Sequence, residues 1–384
     1  MSRKARRFGI GAVLVLGLLA SWVHMADKNY VYKAVFYNFA DIDDNRIFEQ
    51  REITAPVTAQ PWPLAAAYNT LELPEELERL HRDLESVAFL LIKNDSILYE
   101  QYWQGYSDAS LSNSFSMAKS VVSMLLGIAI KNGEIKSVEQ PVGDFLPAFK
   151  EGAKAKIKIR HLLWMSSGLN WDESYSNPFS MTTESYYGTD LKKVIDRLEA
   201  VEEPGKAYTY KSGDTQVIAF VLQAATGKTL SEQAEERLWK PLGADHNAEW
   251  SVDELPDGIE KAYCCFFSNA RDFARLGKLY LHRGLWNGDT IVPPAYVKAS
   301  LTPSGLPKAD GGGKVDFYGY QWWLMPGYKG QDIFYARGIL GQYIIMIPEK
   351  ELVIVRLGKE RGEMVDNHPA DVRVLVDAVN KMVE

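Results

Sequence analysis

The stretch that decides the fold is Ser116-Met117-Ala118-Lys119, the only Ser-x-x-Lys sequence in a chain of 384 residues. It follows a polar, serine-rich loop, and the apolar run after it predicts a helix from about Ser116 to Asn132. Residues three apart share one face of a helix, so we expect the Lys119 ammonium beside the Ser116 hydroxyl. A helix N-terminus also supplies a partial positive charge and free N–H groups, which suit a developing oxyanion.

This pair of side chains indicates nucleophilic catalysis. A serine hydroxyl is a poor nucleophile until a base removes its proton. A buried lysine can be that base if desolvation lowers its pKa from about 10.4 toward neutrality, which costs roughly 4 kcal/mol for three units. The alternative is that Ser116 caps the helix while Lys119 lies in solvent, and the four residues alone leave both open.

A second candidate segment covers residues 204–215 and contains Tyr210 and Ser212. A Pro-Gly pair opens it, and a helix is predicted from about Gln216 to Ala225. Tyr210 and Ser212 are therefore expected on the turn before that helix, with Lys211 pointing elsewhere.

The two segments together resemble the serine β-lactamase and penicillin-binding superfamily, in its class C-like esterase and amidase branch. The resemblance covers roughly residues 80 to 384, including Ile159–Leu169 and a Ser/Asn-capped helix at Ser268–Gly277. It implies that Ser116 is the nucleophile, Lys119 its base, and Tyr210 a partner in the proton relay that protonates the leaving group.

The resemblance also implies roles in substrate binding. Ser212 would orient Lys119 or the substrate. Tyr175 lies where that branch carries a substrate-covering loop, so its side chain would contact the leaving amine. Gly338 would let the substrate approach a strand, and the Ile339 N–H would join the Ser116 N–H as an oxyanion hole, in which loss of one donor typically costs 10²–10³ in rate.

The segment around Gly338 departs from the β-lactamase pattern. The chain has Ala336-Arg337-Gly338-Ile339 where β-lactamases carry Lys-Thr-Gly or His-Thr-Gly. The missing lysine, which helps to hold the substrate carboxylate in β-lactamases, disfavours β-lactamase or D-amino-acid peptidase activity. The segment is most similar to 6-aminohexanoate-dimer hydrolases and related esterases, and Arg337 is expected on the other face of the strand.

Hydrophobic patterning predicts an α/β fold of the α+β kind. Two β-rich runs, Val87–Lys93 and Ile97–Trp103, are split by Asn94-Asp95-Ser96 and indicate a hairpin. Strand character returns only near the other end of the chain, at Tyr318–Met325, Ile333–Ala336, Tyr343–Ile347 and Leu352–Leu357, before a helix from about Asp366 to Val383. We therefore predict one antiparallel sheet, built from both ends of the chain and flanked by helices, with a mostly helical insertion at about 142–260.

The N-terminal segment predicts a membrane helix. Arg3, Lys4, Arg6 and Arg7 precede Phe8–Ala26, a run of 19 residues without Asp, Glu, Lys or Arg. A basic stub before an apolar run is typical of a secretory signal, and ~20 residues span a bilayer as a helix. No small-x-small cleavage site is evident, so an uncleaved anchor is expected over 1–26.

The anchor sets the expected organisation and location. An extracytoplasmic lead-in would occupy 27–85, and the hydrolase domain 86–384. The anchor would hold the protein in a bacterial inner membrane with the catalytic domain in the periplasm, or the protein would be secreted if the segment is a cleaved signal peptide.

Composition and the absence of certain motifs in the sequence argue against several classes of function. The net charge of −7 argues against a nucleic-acid-binding protein. The adjacent Cys264 and Cys265 cannot form a disulfide framework and fall short of a zinc site, and no His-x-x-x-His spacing or phosphate-binding loop occurs. We therefore expect no metal, no cofactor and no obligatory protein partner.

The sequence thus predicts a serine hydrolase that cleaves a small-molecule ester or amide through an acyl-enzyme on Ser116. One alternative is a β-lactamase or D-amino-acid peptidase. Another is a catalytically silent scaffold of the same fold that binds peptidoglycan, against which the complete set of Ser116, Lys119 and Tyr210 argues.

Overall fold

The computed structural model describes residue 17 and residues 20–383 of the chain. The strands of this part are β1 (Gln50–Ile53), β2 (Ser86–Lys93), β3 (Ser96–Tyr102), β4 (Ser112–Asn113), β5 (Ala248–Ser251), β6 (Phe266–Ser268), β7 (Leu285–Trp286), β8 (Asp289–Thr290), β9 (Trp323–Tyr328), β10 (Gln331–Gly338), β11 (Gln342–Ile347), β12 (Leu352–Gly358), β13 (Met364–Val365) and β14 (His368–Pro369). Its α-helices are α1 (Tyr30–Tyr37), α2 (Glu75–Asp83), α3 (Ala118–Lys131), α4 (Ile159–Leu163), α5 (Met181–Tyr187), α6 (Leu191–Asp196), α7 (Ser212–Thr226), α8 (Leu230–Ala234), α9 (Ala270–Leu281), α10 (Pro294–Ser300) and α11 (Ala370–Met382).

The central sheet is antiparallel and draws strands from both ends of the chain, as predicted. Its order is β3-β2-β12-β11-β10-β9, so β12 joins the hairpin to the C-terminal strands. Leu90 of β2 pairs with Val355 of β12, and both belong to the core under α3 and α9. The neighbouring Leu91 and Ile354 face the opposite side, in a second core with α2 and α11. Helices therefore cover both faces of the sheet.

The predicted hairpin is confirmed by its turn. Lys93 pairs with Ser96, which leaves Asn94 and Asp95 as a two-residue loop. Both have positive φ, 47° and 62°, as the favoured two-residue hairpin turns require. Asn and Asp adopt this left-handed conformation more readily than other non-glycine residues.

A second sheet, of order β1-β5-β6-β4, packs beside the first core. The region at 142–260, expected to be mostly helical, contributes β5 to it. Arg51 of β1 pairs with Trp250 of β5, and Glu249 pairs with Phe267 of β6. The members are two to four residues long, which is too short for an alternating pattern to identify them from sequence.

Two predicted elements at the C-terminal end are shorter than expected. The strand expected from Tyr318 begins at Trp323, because Gly319 turns tightly against the end of α10. A Cβ at Gly319 would lie 2.0 Å from the Ser300 carbonyl oxygen. The last helix, expected from Asp366, begins at Ala370 after the short β13–β14 pair.

Most of the expected membrane helix lies outside the described residues. Within residue 17 and residues 20–383, no helix is long and apolar enough to cross a bilayer. The chain that follows packs on the body of the protein through α1, whose Tyr30, Val31 and Ala34 join Tyr186 and Tyr187 of α5 in a small apolar cluster.

Candidate active site

Ser116 lies in a 3-10 turn, Phe115–Met117, directly before α3. The α-helix thus begins two residues later than predicted, yet the expected contact forms. The Lys119 Nζ donates a hydrogen bond of 2.9 Å to the Ser116 Oγ. Phe115 has φ of 42°, and its N–H donates to the Asn113 side chain. Left-handed non-glycine residues of this kind cluster at functional sites, where the surrounding structure maintains them.

Lys119 is buried, which excludes the alternative in which its ammonium lies in solvent. Besides Ser116, its Nζ donates to the Tyr263 carbonyl oxygen at 2.9 Å. The same nitrogen lies 5.1 Å from the centre of the Tyr210 ring. A buried amine needs such partners, because an unpaired polar group in the interior is costly. The arrangement therefore fixes Lys119 against the hydroxyl that it would deprotonate.

Tyr210 is the third member of the predicted group, and its ring lies beside the Lys119 ammonium. Its ring centre lies 5.7 Å from that of Trp323 and 6.1 Å from that of Tyr318. These aromatic contacts hold the ring in place, since such pairs prefer centroid separations of about 4.5–7 Å. Ser116, Lys119 and Tyr210 thus meet at one place, as the sequence predicts.

Ser212 is the first residue of α7, four positions before the predicted start of that helix, and does not lie on the preceding turn. The reason is tertiary. Gly213 packs on Trp171, and a Cβ at this glycine would lie 2.4 Å from the indole ring. Contact with Trp171 therefore overrides the weak helix propensity of Ser-Gly-Asp-Thr.

Glu173 is a site residue that the sequence motifs did not identify. Its Oε2 accepts from the Ser212 N–H at 2.6 Å, and its Oε1 accepts from the Ser212 Oγ and the Tyr175 Oη, each at 2.7 Å. A carboxylate at the N-terminus of α7 is favoured by the free N–H groups and the helix dipole. The Ser212 hydroxyl thus donates to Glu173, whereas the Lys119 ammonium donates to Ser116 and Tyr263, so the expected contact between Ser212 and Lys119 is not among the hydrogen bonds of the described residues.

Tyr175 reaches the site through its hydroxyl. The residue is 57% exposed, and its hydroxyl donates to the Glu173 carboxylate. Burial of this end and the neighbouring Glu173 carboxylate raise the pKa of the Tyr175 phenol well above its usual range. Tyr175 therefore presents a protonated hydroxyl at the cavity edge.

Gly338 ends β10, and a tight turn, Ile339–Gly341, follows it. A Cβ at Gly338 would lie 2.2 Å from the Ser114 carbonyl oxygen. Glycine at this position therefore lets the strand end contact the backbone that leads into Ser116. Ile339 lines the same cavity as Ser116, so the two predicted oxyanion donors belong to one site.

A cavity of about 180 Å³ opens at Ser116. Its lining is mainly aromatic and aliphatic, and the site residues Tyr175 and Ser212 contribute to it. The remaining apolar wall includes Phe39, Tyr186, Tyr263, Cys264, Ile339 and Leu340. Such a mostly apolar pocket with a few polar groups is typical of small-molecule sites.

Cys264 and Cys265 form a disulfide with each other. They join no distant segments, as their adjacency in sequence predicts. Cys264 lines the cavity, and the preceding residue, Tyr263, provides the carbonyl that accepts from Lys119. The disulfide thus belongs to the wall of the site.

Basic residues near the motifs are engaged elsewhere. The Arg337 guanidinium stacks 3.2 Å from the Trp323 ring centre, and its Nη1 donates to the Asn367 carbonyl. The Lys211 ammonium donates to the Leu169 carbonyl, so it points away from the nucleophile, as predicted. Burial lowers the pKa of His161 to about 4, and its Nδ1 accepts from a backbone N–H, as a structural histidine would.

Residues 73–378 of the chain match the β-lactamase family, and the chain belongs to that family. It is a hydrolase of the serine β-lactamase superfamily, which confirms the resemblance seen in the motifs. The 6-aminohexanoate-dimer hydrolase of Paenarthrobacter ureafaciens is 26% identical over 304 residues, which cover 74% of this chain and 75% of that protein.

Two solved structures show the same fold. One is a Bacillus anthracis protein provisionally described as a 6-aminohexanoate-dimer hydrolase, with a TM-score of 0.75 at 21% identity over 89% of this chain and 91% of that one. The other is a family VIII carboxylesterase, with a TM-score of 0.64 at 17% identity over 80% of this chain and 95% of that one. At these identities the similarity extends to the fold alone.

Proposed function

We propose that this protein hydrolyses a small ester or amide through an acyl-enzyme on Ser116. The observation that carries the proposal is the 2.9 Å hydrogen bond between the buried Lys119 Nζ and the partly buried Ser116 Oγ at the edge of a cavity. A nucleophile within hydrogen-bond reach of its base is the geometry that acyl transfer needs. The similar proteins include a 6-aminohexanoate-dimer hydrolase by sequence and a carboxylesterase by fold, both of which support this proposal.

In the first step, Lys119 acts as the base and takes the proton of Ser116 while the Oγ attacks the carbonyl carbon. The oxygen that gains negative charge is stabilised by the N–H groups of Ser116 and Ile339. The proton then passes by way of Tyr210 to the leaving alcohol or amine. The bond to the leaving group breaks, and an acyl ester remains on Ser116.

In the second step, a water molecule attacks the acyl ester. Tyr210 and Lys119 accept its proton and return one to the Ser116 Oγ, which releases the acid and restores the enzyme. Tyr175, held by Glu173, would contact the leaving amine from the opposite wall.

The cavity favours neutral substrates over β-lactams and D-amino-acid peptides, which carry a carboxylate. Within the described residues, its lining contains no Arg or Lys. Arg337, which lies next to the lysine position of the β-lactamase pattern, is stacked on Trp323 and bonded to Asn367. No cation on the strand is thus free to hold a substrate carboxylate.

The test is hydrolysis of p-nitrophenyl butyrate and of a matched anilide by wild-type protein and by Ser116→Ala. We expect the variant to lose at least 10³ in kcat, while a control, the partly exposed Ser110→Ala, keeps the wild-type rate. A fluorophosphonate probe should label Ser116, as located by mass spectrometry. Wild-type rates in Ser116→Ala would refute the nucleophile, rapid nitrocefin turnover would favour the β-lactamase alternative, and absence of labelling would favour the silent scaffold.

We also propose that residues 1–26 are an uncleaved anchor and that the catalytic domain lies in the periplasm. The basic stub and the apolar run support the anchor, and the Cys264–Cys265 disulfide supports an oxidising compartment. The test is to fractionate cells and sequence the N-terminus of the mature protein. A mature chain beginning near residue 21 to 27 would contradict the anchor.

A further inference from the structure

Helix α1 carries apolar and aromatic side chains on both its buried side and its exposed side. Tyr30 and Ala34 are buried against the body of the protein, but Val35 and Phe36 on the other side are 69% and 81% exposed. Lys33 is the only charged residue of the helix. A helix that is apolar all round is normally buried, in a protein core or in lipid. The side of α1 that carries Val35 and Phe36 therefore suits an apolar environment, and no described residue covers it.

The exposed side of α1 is part of a larger surface, which we call the aromatic face. Its members are Trp22, Met25, Tyr32, Val35, Phe36, Phe39 and Phe179, all of them exposed. The Trp22 ring lies 5.6 Å from that of Phe179, and the Tyr32 hydroxyl donates to the Ala20 carbonyl at 3.0 Å, which joins residues 20–25 to α1. Large contiguous apolar patches on a protein surface mark sites of interaction.

The composition of the aromatic face favours a bilayer as its partner. Trp and Tyr beside Phe, Met and Val are typical of residues at the membrane–water interface. Lys28 and Lys33 flank the face, and Asp27 is paired with Lys193.

The direction of the chain supports the same partner. The sequence that precedes the face is the charge-free run from Phe8, which leads directly into Trp22. If that run enters a bilayer, the aromatic face lies within a few residues of the bilayer surface. The preceding run would not bring the aromatic face close to a second copy of the chain or to a soluble partner in this way.

The aromatic face reaches the mouth of the active-site cavity. Phe39, which is 79% exposed, lines that cavity together with Ala40 and Ser116. We propose that the aromatic face docks on a phospholipid bilayer and that the site draws ester or amide substrates dissolved in the bilayer directly from it. The inference about substrates rests on the proposed hydrolase function, but the docking does not.

The first experiment compares soluble and bilayer-borne substrates, with full-length protein and vesicles of phosphatidylglycerol and phosphatidylcholine. The double variant Val35→Ser/Phe36→Ser alters the face outside the cavity lining. Val57→Ser/Val201→Ser, at exposed positions elsewhere, is the matched control. We expect the face variant to hydrolyse p-nitrophenyl palmitate in vesicles at least fivefold more slowly, with soluble p-nitrophenyl acetate unchanged, and the control to match wild type on both.

The second experiment reads docking without catalysis and separately from the anchor. A polarity-sensitive fluorophore is placed on Val35→Cys or, as control, on Val57→Cys, in chains that also carry Ser116→Ala. Vesicles should shift the emission of the Val35 label to shorter wavelength and leave the Val57 label unchanged. The same shift at both positions, or at neither, would overturn the docking.

The outcomes separate the two proposals. If wild-type protein hydrolyses no ester but the Val35 label shifts, the hydrolase function fails and the docking stands. If the palmitate rate is equal in the face variant and wild type, the substrate inference is wrong. A dimer that dissociates in the face variant, with no emission shift on vesicles, would show that a second copy covers the aromatic face.

Discussion

The carboxylate of Glu173 offers the sharpest test of the site, because three hydrogen bonds converge on it and no motif identified it. In Glu173→Gln the shape is kept and the charge is lost. The amide oxygen can still accept from the Ser212 N–H, but the amide nitrogen then faces the hydroxyls of Ser212 and Tyr175. Both hydroxyls must rotate to accept instead of donate, which changes what each offers to a substrate.

The magnitude follows from the change in bond type. Hydrogen bonds to charged groups contribute about 1.5–3 kcal/mol, and neutral ones about 0.5–1.5. Three bonds weakened by about 1 kcal/mol each remove about 3 kcal/mol, part of which destabilises the loop and the start of α7. With about 1.4 kcal/mol per factor of ten, we expect kcat/KM to fall between 10- and 100-fold.

The assay is ester hydrolysis under kcat/KM conditions, with thermal unfolding measured in parallel. Asp172→Asn is the matched control, because this neighbouring carboxylate is exposed and accepts only from the Ser174 N–H, at 3.0 Å. Tyr175→Phe, alone and combined with Glu173→Gln, completes a double-mutant cycle. The reasoning fails if Glu173→Gln stays within twofold of wild type, if Asp172→Asn shows the same loss, or if the two site substitutions are additive.

Three further substitutions test other parts of the structure. In Gly338→Ala the new Cβ would lie 2.2 Å from the Ser114 carbonyl oxygen, so we expect kcat to fall at least 100-fold. An unchanged kcat would contradict the close contact between the end of β10 and the backbone that leads into Ser116. Lys119→Met should abolish probe labelling of Ser116 while circular dichroism stays native, and full labelling would refute the base. Burial raises the pKa of Asp214 to about 7, although the Ser167 hydroxyl donates to it at 2.5 Å. The stabilisation from this raised pKa is fully present below the unfolded-state value of about 4 and is lost as pH rises through 7. Wild type therefore loses stability over this range and Asp214→Asn does not, so the Tm of the variant minus that of wild type should increase from pH 5 to pH 8. A constant difference in Tm would contradict it.

The sequence predicts those parts of the site that depend on local structure. Ser116 and Lys119 are neighbours on one turn, so their spacing alone places them together. The sheet follows from the apolar runs at both ends, since β2 and β12 are long enough to show their pattern.

Contacts between distant segments could not be read from the sequence. Glu173 reaches Ser212 because the neighbouring Trp171 packs on Gly213. The Trp171 indole N–H also donates to the Thr182 hydroxyl at 3.1 Å, which fixes the loop. No hydrophobic periodicity identifies such a loop. The one usable signal for Glu173 was the presence of an acidic residue two positions before Tyr175, the residue already expected at the substrate. The early start of α7 has the same cause.

The position of β12 between β2 and β11 also governs how the chain can fold. The pairing of Leu90 with Val355 joins residues 265 positions apart. Sheets dominated by such non-local pairs fold slowly, because loop closure precedes the contacts that compensate for it. The apolar edge of β2 stays open until Leu352–Gly358 has been synthesised, which invites aggregation of the nascent protein. A chain cut before Leu352 would keep that edge permanently, because β12 completes the centre of the sheet.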